Sequence, residues 1–406
     1  MAVSIRNKST SLLRLAQERA ASKKVEEDHK KQEDIAVPCL SKDCIWNILI
    51  RLPINSLPHS RFVCKSWYDI INSPTFIDAH LHRSQTVLIF LCFQHRRSLS
   101  SVKSVPNTFS VESSFLPTKS GSIFGEPTVS SKSIFYMGFM EFKNGKCQMG
   151  EYNITCSGNI RGTCNGLVLL DNKLKKGGLL VMNPVTRKII ALPLGTISSP
   201  HNDSYGFAFI NATGDYKVVH LFRDMLGYIN CETLYLGTRV WREVNGPTFG
   251  LFGWLGNNPV SAIDALHWIP EIDRSDYLVS MEMENDKFTT IALPQSCQKY
   301  DGIIEMGGFL CFVTHEELNV DVWILKGLCG EVWTKQHCIT RGCILDMVPL
   351  LSLGVSGDII FKRDEDGSLY IYNFELQELR KIEMEAAGLL QSNLYMPHVN
   401  SLVSWK

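Results

Sequence analysis

The sequence lacks an excess of charge of either sign and has no long apolar run. Its 406 residues contain 41 Lys and Arg against 41 Asp and Glu, a formal net charge of zero. A neutral chain has no general field to attract phosphate backbones or anionic lipid. Its longest apolar run, 87–93, has seven residues, whereas a membrane-spanning helix needs roughly 18. We therefore expect neither nucleic acid nor a membrane among its partners.

The cysteines lack the spacing of a disulfide framework or a zinc ribbon. There are 13, an odd number, and none forms a C-x-x-C pair. Such usage is typical of a reducing compartment, so we expect a cytoplasmic and/or nuclear protein. His80 and His82 are two residues apart, but near a helix end we interpret them as solvated side chains. We expect no metal and no other cofactor.

The motifs that carry enzyme chemistry are also missing. The sequence contains no G-x-S-x-G, no Walker loop, no G-x-G-x-x-G and no H-E-x-x-H. No cysteine has a histidine at a spacing that would suggest a catalytic pair. We therefore expect no catalytic residue, and a protein that binds a partner rather than an enzyme.

The N-terminal part of the chain divides into a polar tail and a helical unit. Residues 1–38 are rich in charge without an apolar stripe, which indicates a disordered or weakly helical tail. In residues 39–80 the first apolar residues share one helical face: Leu40, Cys44, Ile45, Ile48, Leu49 and Leu52. Ser41 or Asp43 can cap that helix and Pro53 can end it.

Two further short helices are expected in the same unit. Asn55 is the next candidate cap and Pro58 fits a first helical turn, where its missing N–H costs little. The third helix passes through Trp67 and Ile70 and stops before Pro74. Three short helices form a very small core, so such a unit usually needs a partner to complete its burial.

Residues 85–406 have the pattern of an all-β domain. More than a dozen short apolar or alternating strings are separated by Gly, Asn, Asp and Pro. Strand groups end near Leu192, Gly246, Leu293, Cys338 and Ile382, about 54, 47, 45 and 45 residues apart, which is close to the period of a propeller blade. We predict an α+β multidomain protein in which helices precede a β-propeller of about six blades, with five or seven as alternatives. Residues 98–133 are interpreted as a long loop or a poorly formed blade.

Residues 40–76, LSKDCIWNILIRLPINSLPHSRFVCKSWYDIINSPTF, resemble an F-box. They keep the family's leucine and acid, the ILIRLP string, the Ser-Leu turn, the VCKSW string and the closing SPTF. Two departures are Ser41, where the family has proline, and PHSRF, where it has a basic and apolar run. The resemblance implies binding to a SKP1-type adaptor and, through it, to the cullin and RING subunits of a ubiquitin ligase.

The resemblance also implies which residues lie at or under the adaptor interface. Trp67 is expected to be the largest anchor, because tryptophan is over-represented among interface hot spots. The predicted set is Leu40, Ile45, Ile48, Leu49, Leu52, Pro53, Leu57, Val63, Cys64, Lys65 and Trp67. Some of these side chains could instead serve only the internal core of the helical unit.

The β region resembles the F-box-associated domain of plant F-box proteins, a kelch-like propeller. The matching elements are GTCNGL at 162–167, NPVTRK at 183–188, DYKVV at 215–219 and the pair Trp241-Arg242. Met182 and Ala208 depart from the family pattern. Asn-Gly and Asn-Pro build tight turns and paired Val or Ile residues build strand centres, so we interpret these elements as scaffold.

Target contacts are expected on loops at one rim, because loops on a fixed scaffold usually carry recognition. Candidate loops are 199–205 and 250–258, and Phe252 and Trp254 in GLFGWLGNN are the predicted target-binding residues. The function predicted is a substrate receptor of an SCF-type ubiquitin ligase that presents an unknown protein target. An alternative is a propeller-type small-molecule sensor or enzyme that carries an F-box for its own turnover, and a scaffold outside any ligase also stays open.

Overall fold

The computed structural model describes residues 40–93, 135–143, 146–156, 158–172, 178–197, 203–247, 258–271, 274–316, 319–327, 332–340, 346–354, 357–383 and 395–405. The predicted tail at 1–38 and the whole interval 98–133 lie outside the described residues. In the part of the chain that is described, no helix is long and apolar enough to cross a membrane.

The N-terminal unit is helical and has four α-helices where three were predicted. They are α1 (Lys42–Leu49), α2 (Leu57–Ser60), which follows a 3₁₀ turn at Ile54–Ser56, α3 (Lys65–Ile71) and α4 (Pro74–Arg83). The Ser41 hydroxyl accepts from the Cys44 N–H at 3.2 Å and caps α1, as predicted. The expected stop at Ser73-Pro74 ends α3 but also starts α4, because Ser73 accepts from the Phe76 N–H and Pro74 occupies the first turn.

The remainder of the described chain forms six sheets, each of four antiparallel strands, which confirms the predicted propeller. The strands are β1 (Thr86–Phe93), β2 (Phe135–Lys143), β3 (Lys146–Cys156), β4 (Ile160–Cys164), β5 (Leu167–Asn172), β6 (Gly178–Asn183), β7 (Lys188–Ala191), β8 (Asp203–Ile210), β9 (Asp215–Arg223), β10 (Ile229–Tyr235), β11 (Trp241–Val244), β12 (Val260–Ala262), β13 (Ala265–Trp268), β14 (Tyr277–Glu282), β15 (Phe288–Ala292), β16 (Gly302–Met306), β17 (Phe309–His315), β18 (Asn319–Leu325), β19 (Trp333–Thr340), β20 (Met347–Leu353), β21 (Asp358–Arg363), β22 (Leu369–Asn373), β23 (Glu378–Lys381) and β24 (Tyr395–Val399).

The ring closes through the two ends of the β region. β24 pairs antiparallel with β1, with Thr86 opposite Val399 and Phe90 opposite Tyr395. The first blade is therefore β24-β1-β2-β3, with three strands from the start of the β region and one from its end. The innermost strands β24, β4, β8, β12, β16 and β20 contact one another in that order around the ring.

Most predicted blade ends coincide with observed strand ends. β7, β11, β15 and β23 end at Ala191, Val244, Ala292 and Lys381, beside the Pro or polar stops seen in the sequence. Cys338 instead lies inside β19. Four of the five stops therefore mark true blade boundaries, because a proline or a polar turn cannot continue a ladder of backbone hydrogen bonds.

The strand ends divide over two rims of the propeller. The first and third strands of each blade end at one rim, which we call the helical rim because the helical unit enters there, ahead of β1. The second and fourth strands end at the opposite, far rim. Contacts between blades agree with this: Asn211 bonds Asp264 at the helical rim (2.9 Å), and Lys299 pairs with Asp364 at the far rim (3.2 Å).

The propeller core lies between neighbouring blades. One cluster joins Leu167 and Val181 of the second blade to Phe207 and Val218 of the third, and further clusters of this kind join other neighbouring blades. This is the expected arrangement, since a single blade cannot bury both of its faces alone.

A buried charge also crosses one boundary between blades. Lys217 on β9 has a fully buried side chain, and its ammonium group donates to the Asp286 carboxylate at 2.6 Å and to the Met283 carbonyl in the next blade. The Tyr235 ring lies 4.8 Å from the ammonium nitrogen. The charge is therefore satisfied inside the protein by an anion, a carbonyl and an aromatic face.

Candidate functional site

The core of the helical unit is completed by the propeller. Leu49, Leu57, Ile71 and Phe76 are fully buried, and their cluster includes Leu402, which lies beyond β24 and is 3% exposed. Val185, from the connection between β6 and β7, packs against the same cluster. The helices therefore bury part of their apolar surface against the helical rim.

A polar side chain holds the two propeller segments that contact the helices. The Asn183 amide donates to the carbonyls of Ser401 (3.0 Å) and Val403 (2.8 Å), on either side of Leu402. Its carbonyl oxygen accepts from the Val185 N–H at 2.9 Å. Asn183 is fully buried, so the NPVT turn positions both Leu402 and Val185 against the helices.

The predicted adaptor-interface residues divide into three groups by burial. Exposed side chains are Leu40, Ile48, Pro53, Val63, Cys64 and Lys65; half-buried ones are Ile45, Leu52 and Trp67; fully buried ones are Leu49 and Leu57. Leu40, Ile48 and Val63 are 59%, 45% and 61% exposed. The first group is available to a partner in the free protein, whereas the last serves the internal core.

Two exposed aromatic residues of the helical unit were not predicted as interface residues. Phe62, between α2 and α3, is 86% exposed, and Tyr68 on α3 is 53% exposed. Trp67, the predicted anchor, is half-buried and packs against the core cluster. Phe62 itself is the sequence signal for this exposure, because it is a large apolar residue in the otherwise polar segment PHSRF. With Leu40, Ile48 and Val63, these two residues define what we call the exposed apolar set.

The predicted target-binding residues Phe252 and Trp254 lie outside the described residues, as do most of the candidate loops 199–205 and 250–258. The topology does place the described ends of both loops at the far rim, because each loop connects the fourth strand of one blade to the first strand of the next.

A cleft of about 240 Å³ lies where the helical unit meets the propeller. Its walls include Leu52, His80 and Arg83 on the helical side and Glu141 and Asn400 on the propeller side. Desolvation by burial lowers the pKa of His80. The cleft lies at this junction and not in the central channel of the propeller, where a deep apolar pocket would favour the small-molecule alternative.

His80 and His82 do not converge on one point. His80 was expected to be solvated but is buried, with its ring nitrogens 3.4 Å from the Leu52 carbonyl and 3.3 Å from the Ser84 hydroxyl. His82 is exposed and lies beside Asp78. Within the described ranges no group of three or more His, Cys, Asp or Glu side chains is placed to hold a metal ion.

Comparison with known proteins matches both units. An F-box domain model matches residues 37–78, and a model described as F-box associated beta propeller domain matches residues 128–401. The F-box protein CPR1 of Arabidopsis thaliana is 24% identical over 344 residues, covering 74% of this chain and 72% of that protein. The F-box/kelch-repeat protein At3g23880 of the same plant is 23% identical over 346 residues, covering 82% and 87%.

A solved structure, that of TolB from Acinetobacter baumannii, aligns with a TM-score of 0.42 and 12% identity over 66% of this chain and 62% of that chain. The family assignment rests instead on the residues that the two domain models match. The propeller match, 128–401, includes all or part of each of the six blades, and the F-box match, 37–78, includes α1 to α3 and the exposed apolar set. The chain belongs to the F-box proteins that carry an F-box associated beta propeller domain.

Proposed function

We propose that this protein is a substrate-recognition subunit of an SCF-type ubiquitin ligase. In this proposal the F-box binds a SKP1-type adaptor, which connects it to the cullin and RING subunits, and the propeller binds the protein to be ubiquitinated. The observation that carries the proposal is an F-box that exposes large apolar side chains while its own core is closed by the propeller.

The exposed apolar set supports adaptor binding. A unit that needed these side chains for its own fold would bury them, yet Phe62, Val63 and Leu40 are each more than half exposed. Docking of apolar side chains from short helices into a groove is a common recognition mode. We assign Ile48, Val63 and Phe62 to the adaptor contact, and Trp67 to the support beneath it.

The proposed role needs no catalytic residue in this chain. The ligase reaction is accelerated by holding the target near the charged E2 enzyme, and such proximity can supply a large share of a rate enhancement. Leu402 and Val185 fasten the F-box to the helical rim. A target bound by the propeller is thereby held in a defined place relative to the adaptor. The protein would act in the cytoplasm and/or nucleus.

Adaptor binding is tested on two double variants of the full chain. Ile48→Glu with Val63→Glu places charges within the exposed apolar set. The matched control, Val240→Glu with Leu376→Glu, places the same charges at two propeller residues, each 56% exposed. Affinity for a purified SKP1-type adaptor is measured by calorimetry, and circular dichroism melts check that each variant folds.

We expect I48E/V63E to bind the adaptor at least tenfold more weakly, because truncating an interface hot spot costs about 2 kcal/mol or more. The control should bind within twofold of the wild type. Unchanged affinity in a folded I48E/V63E protein would contradict the assigned contact. No binding by the wild type would contradict the proposed function itself.

A further inference from the structure

The turn between β9 and β10, residues 224–228, is a well-organised turn at the far rim. The Asp224 carboxylate accepts from the N–H groups of Leu226 and Tyr228, both at 2.9 Å, and from the Asn230 amide at 3.1 Å. The Asp224 N–H donates to the Tyr228 carbonyl at 2.9 Å. Gly227 has a φ of +91°, a conformation that favours glycine. The polar groups of the turn therefore hold its shape.

Large apolar side chains project from this turn into solvent. Met225 is 104% exposed, Leu226 82% and Tyr228 52%. Together they expose on the order of 400 Å² of side-chain surface, the size at which an apolar patch on a monomer is often functional. We call Met225, Leu226 and Tyr228 the apolar tip.

A turn of the same length occurs at the equivalent place in the sixth blade without the apolar residues. Residues 223–228 read RDMLGY and residues 363–368 read RDEDGS, and both connect the second strand of a blade to the third over five residues. Gly367 has a φ of +69°, matching Gly227. Asp366, at the position of Leu226, accepts from the Ser368 N–H at 2.9 Å, so an aspartate at a different position helps to fix this turn.

The sixth-blade turn shows that a five-residue connection at this place in a blade can be built without apolar side chains. Glu365 and Asp366, which occupy the positions of Met225 and Leu226, are exposed, as polar side chains in such a turn are expected to be. Exposed Met and Leu gain no burial in the free protein, so they do not stabilise the blade. Their presence at this one turn requires another explanation.

We propose that the apolar tip is a target-contact site of the propeller, and that it fits a folded protein whose surface carries an apolar pocket bordered by a basic side chain. This inference rests on the proposed function, since it names a contact for the target that the ligase would ubiquitinate. The tip lies at the far rim, opposite the rim that holds the F-box and its adaptor contact.

The shape and charge of the turn favour this partner over other occupants. A convex tip inserts into a pocket and cannot enclose a small molecule. Asp224 is ionised at neutral pH and residues 224–228 contain no Lys or Arg, so the tip itself opposes anionic lipid and complements a basic residue. The neighbouring cation, Arg223, is half-buried at the end of β9 and is not part of the tip. The tip alone is smaller than a stable protein–protein interface, which buries on the order of 1,000 Å² or more. It is therefore one anchor within a wider contact.

The test begins with a photo-crosslinking amino acid placed at Met225 of the full chain in proteasome-inhibited cells. The matched position is Leu376, which is exposed in the connection after the third strand of the sixth blade, at the helical rim. Proteins crosslinked at 225 and not at 376 are identified and purified. Their affinity is then measured for the wild type, for M225E/L226D, which copies the sixth-blade turn, and for V240E/L376D, which alters the helical rim.

We expect M225E/L226D to bind the purified protein at least tenfold more weakly, and V240E/L376D to bind it within twofold of the wild type. Both variants should bind the adaptor with the affinity of the wild type. If neither the wild type nor the variants bind the adaptor, the proposed ligase role is wrong, but the contact at the apolar tip is not affected. The melting temperature of M225E/L226D should match the wild type, and a marked fall would show that the apolar tip serves the fold.

Three other results would overturn the proposal. One is equal affinity for the wild type and M225E/L226D. Another is the absence of any protein crosslinked at 225 beyond those found at 376. The third is flotation of the wild type with phosphatidylcholine–phosphatidylserine vesicles, or its self-association in sedimentation, if M225E/L226D abolishes the effect. The occupant of the tip would then be a membrane or a second copy of this chain.

Discussion

The F-box and the propeller of this protein bury their apolar residues in different ways. The F-box closes its core with Leu402 and Val185 from outside its own sequence, and it still leaves Ile48, Phe62 and Val63 exposed. The propeller closes its core between its own blades and buries even the charge of Lys217. The helical unit is thus incomplete without neighbours, whereas the propeller depends only on its own repeats.

This difference has a simple physical origin. A unit of about 40 residues buries too small a fraction of its surface to be stable alone, while a ring of blades has an interior boundary for every blade. The F-box is therefore suited to coupling with partners. The propeller is suited to holding exposed turns, such as 224–228, in fixed positions.

The largest effect is expected from breaking the buried ion pair of the propeller. Asp286→Asn keeps a side chain that tolerates the φ of +59° at this position but leaves the Lys217 ammonium buried without a counter-charge. We expect a loss of about 3 kcal/mol in the free energy of unfolding, measured by urea denaturation.

Lys217→Met combined with Asp286→Asn should recover most of that loss, because no unpaired charge then stays buried. Asp364→Ala, which removes the partner of the exposed Lys299, should have no measurable effect. A double variant as unstable as Asp286→Asn would show that the packing of Lys217, and not its charge, is what matters.

A somewhat smaller effect is expected at the boundary between the two units. Leu402→Ala should cost about 2.5 kcal/mol, since it opens a cavity in the core of the F-box. Hydrogen exchange should show reduced protection in α1 to α4 and unchanged protection in strands distant from Leu402, such as β16 to β19. Leu376→Ala, at an exposed position, serves as the control. Equal loss of protection in both units would mean that they unfold together and that the propeller is not independent of the F-box.

The pH dependence of stability tests the polar interior of the propeller. Burial lowers the pKa of His398 to about 3 and that of His267 to about 4. Within the described residues neither ring nitrogen of His398 has a hydrogen-bond partner. The unfolded chain takes up these protons near pH 6.5, and the folded protein does not. The stabilisation is therefore complete above pH 6.5 and is lost as the pH falls toward 4.

Between pH 7 and pH 5 each histidine should lower the free energy of unfolding by about 2 kcal/mol. Urea denaturation of the wild type and of His398→Leu at both pH values measures the effect. The variant should lose less stability over this interval than the wild type. An identical pH dependence in the two proteins would show that His398 is not the titrating group.

The smallest effect is expected at the start of the F-box. Ser41→Ala removes the hydroxyl that accepts from the Cys44 N–H and should cost about 1 kcal/mol, whereas Ser41→Asp should preserve the cap. Thermal melts followed by helical circular dichroism can compare the three proteins. If Ser41→Asp is as unstable as Ser41→Ala, the cap is not what holds the first turn of α1.

Local patterns in the sequence predicted much of the architecture. The spacing of Ile45, Leu49 and Leu52 predicts α1, and the alternating strings predict most strands correctly, because backbone periodicity and burial are coupled within a few residues. The fourth helix was missed because Ser73-Pro74 signals both an end and a start. The place of β24 in the first blade was not predicted, because it depends on pairing with β1, about 300 residues earlier in the chain.

The sequence predicted the candidate site of the F-box better than that of the propeller, again because local patterns are visible in a sequence and distant contacts are not. The F-box is one contiguous segment, so the order of its motifs predicted it from the sequence. The division of its residues into exposed ones such as Val63 and buried ones such as Leu57 required the packed helices. The apolar tip has no motif. Its interest appears only when RDMLGY and RDEDGS are found in equivalent positions of two blades.

The amino-acid sequence by itself determined the F-box, the propeller, its approximate number of blades and most of its strands, because these depend on short-range periodicity and on turn residues. Only the tertiary structure decided that β24 closes the ring, that Leu402 completes the F-box core, and that the apolar tip lies at the rim opposite the helices. Those features depend on contacts between distant parts of the chain. Such contacts arise from the burial of whole surfaces and leave no fixed spacing in the sequence.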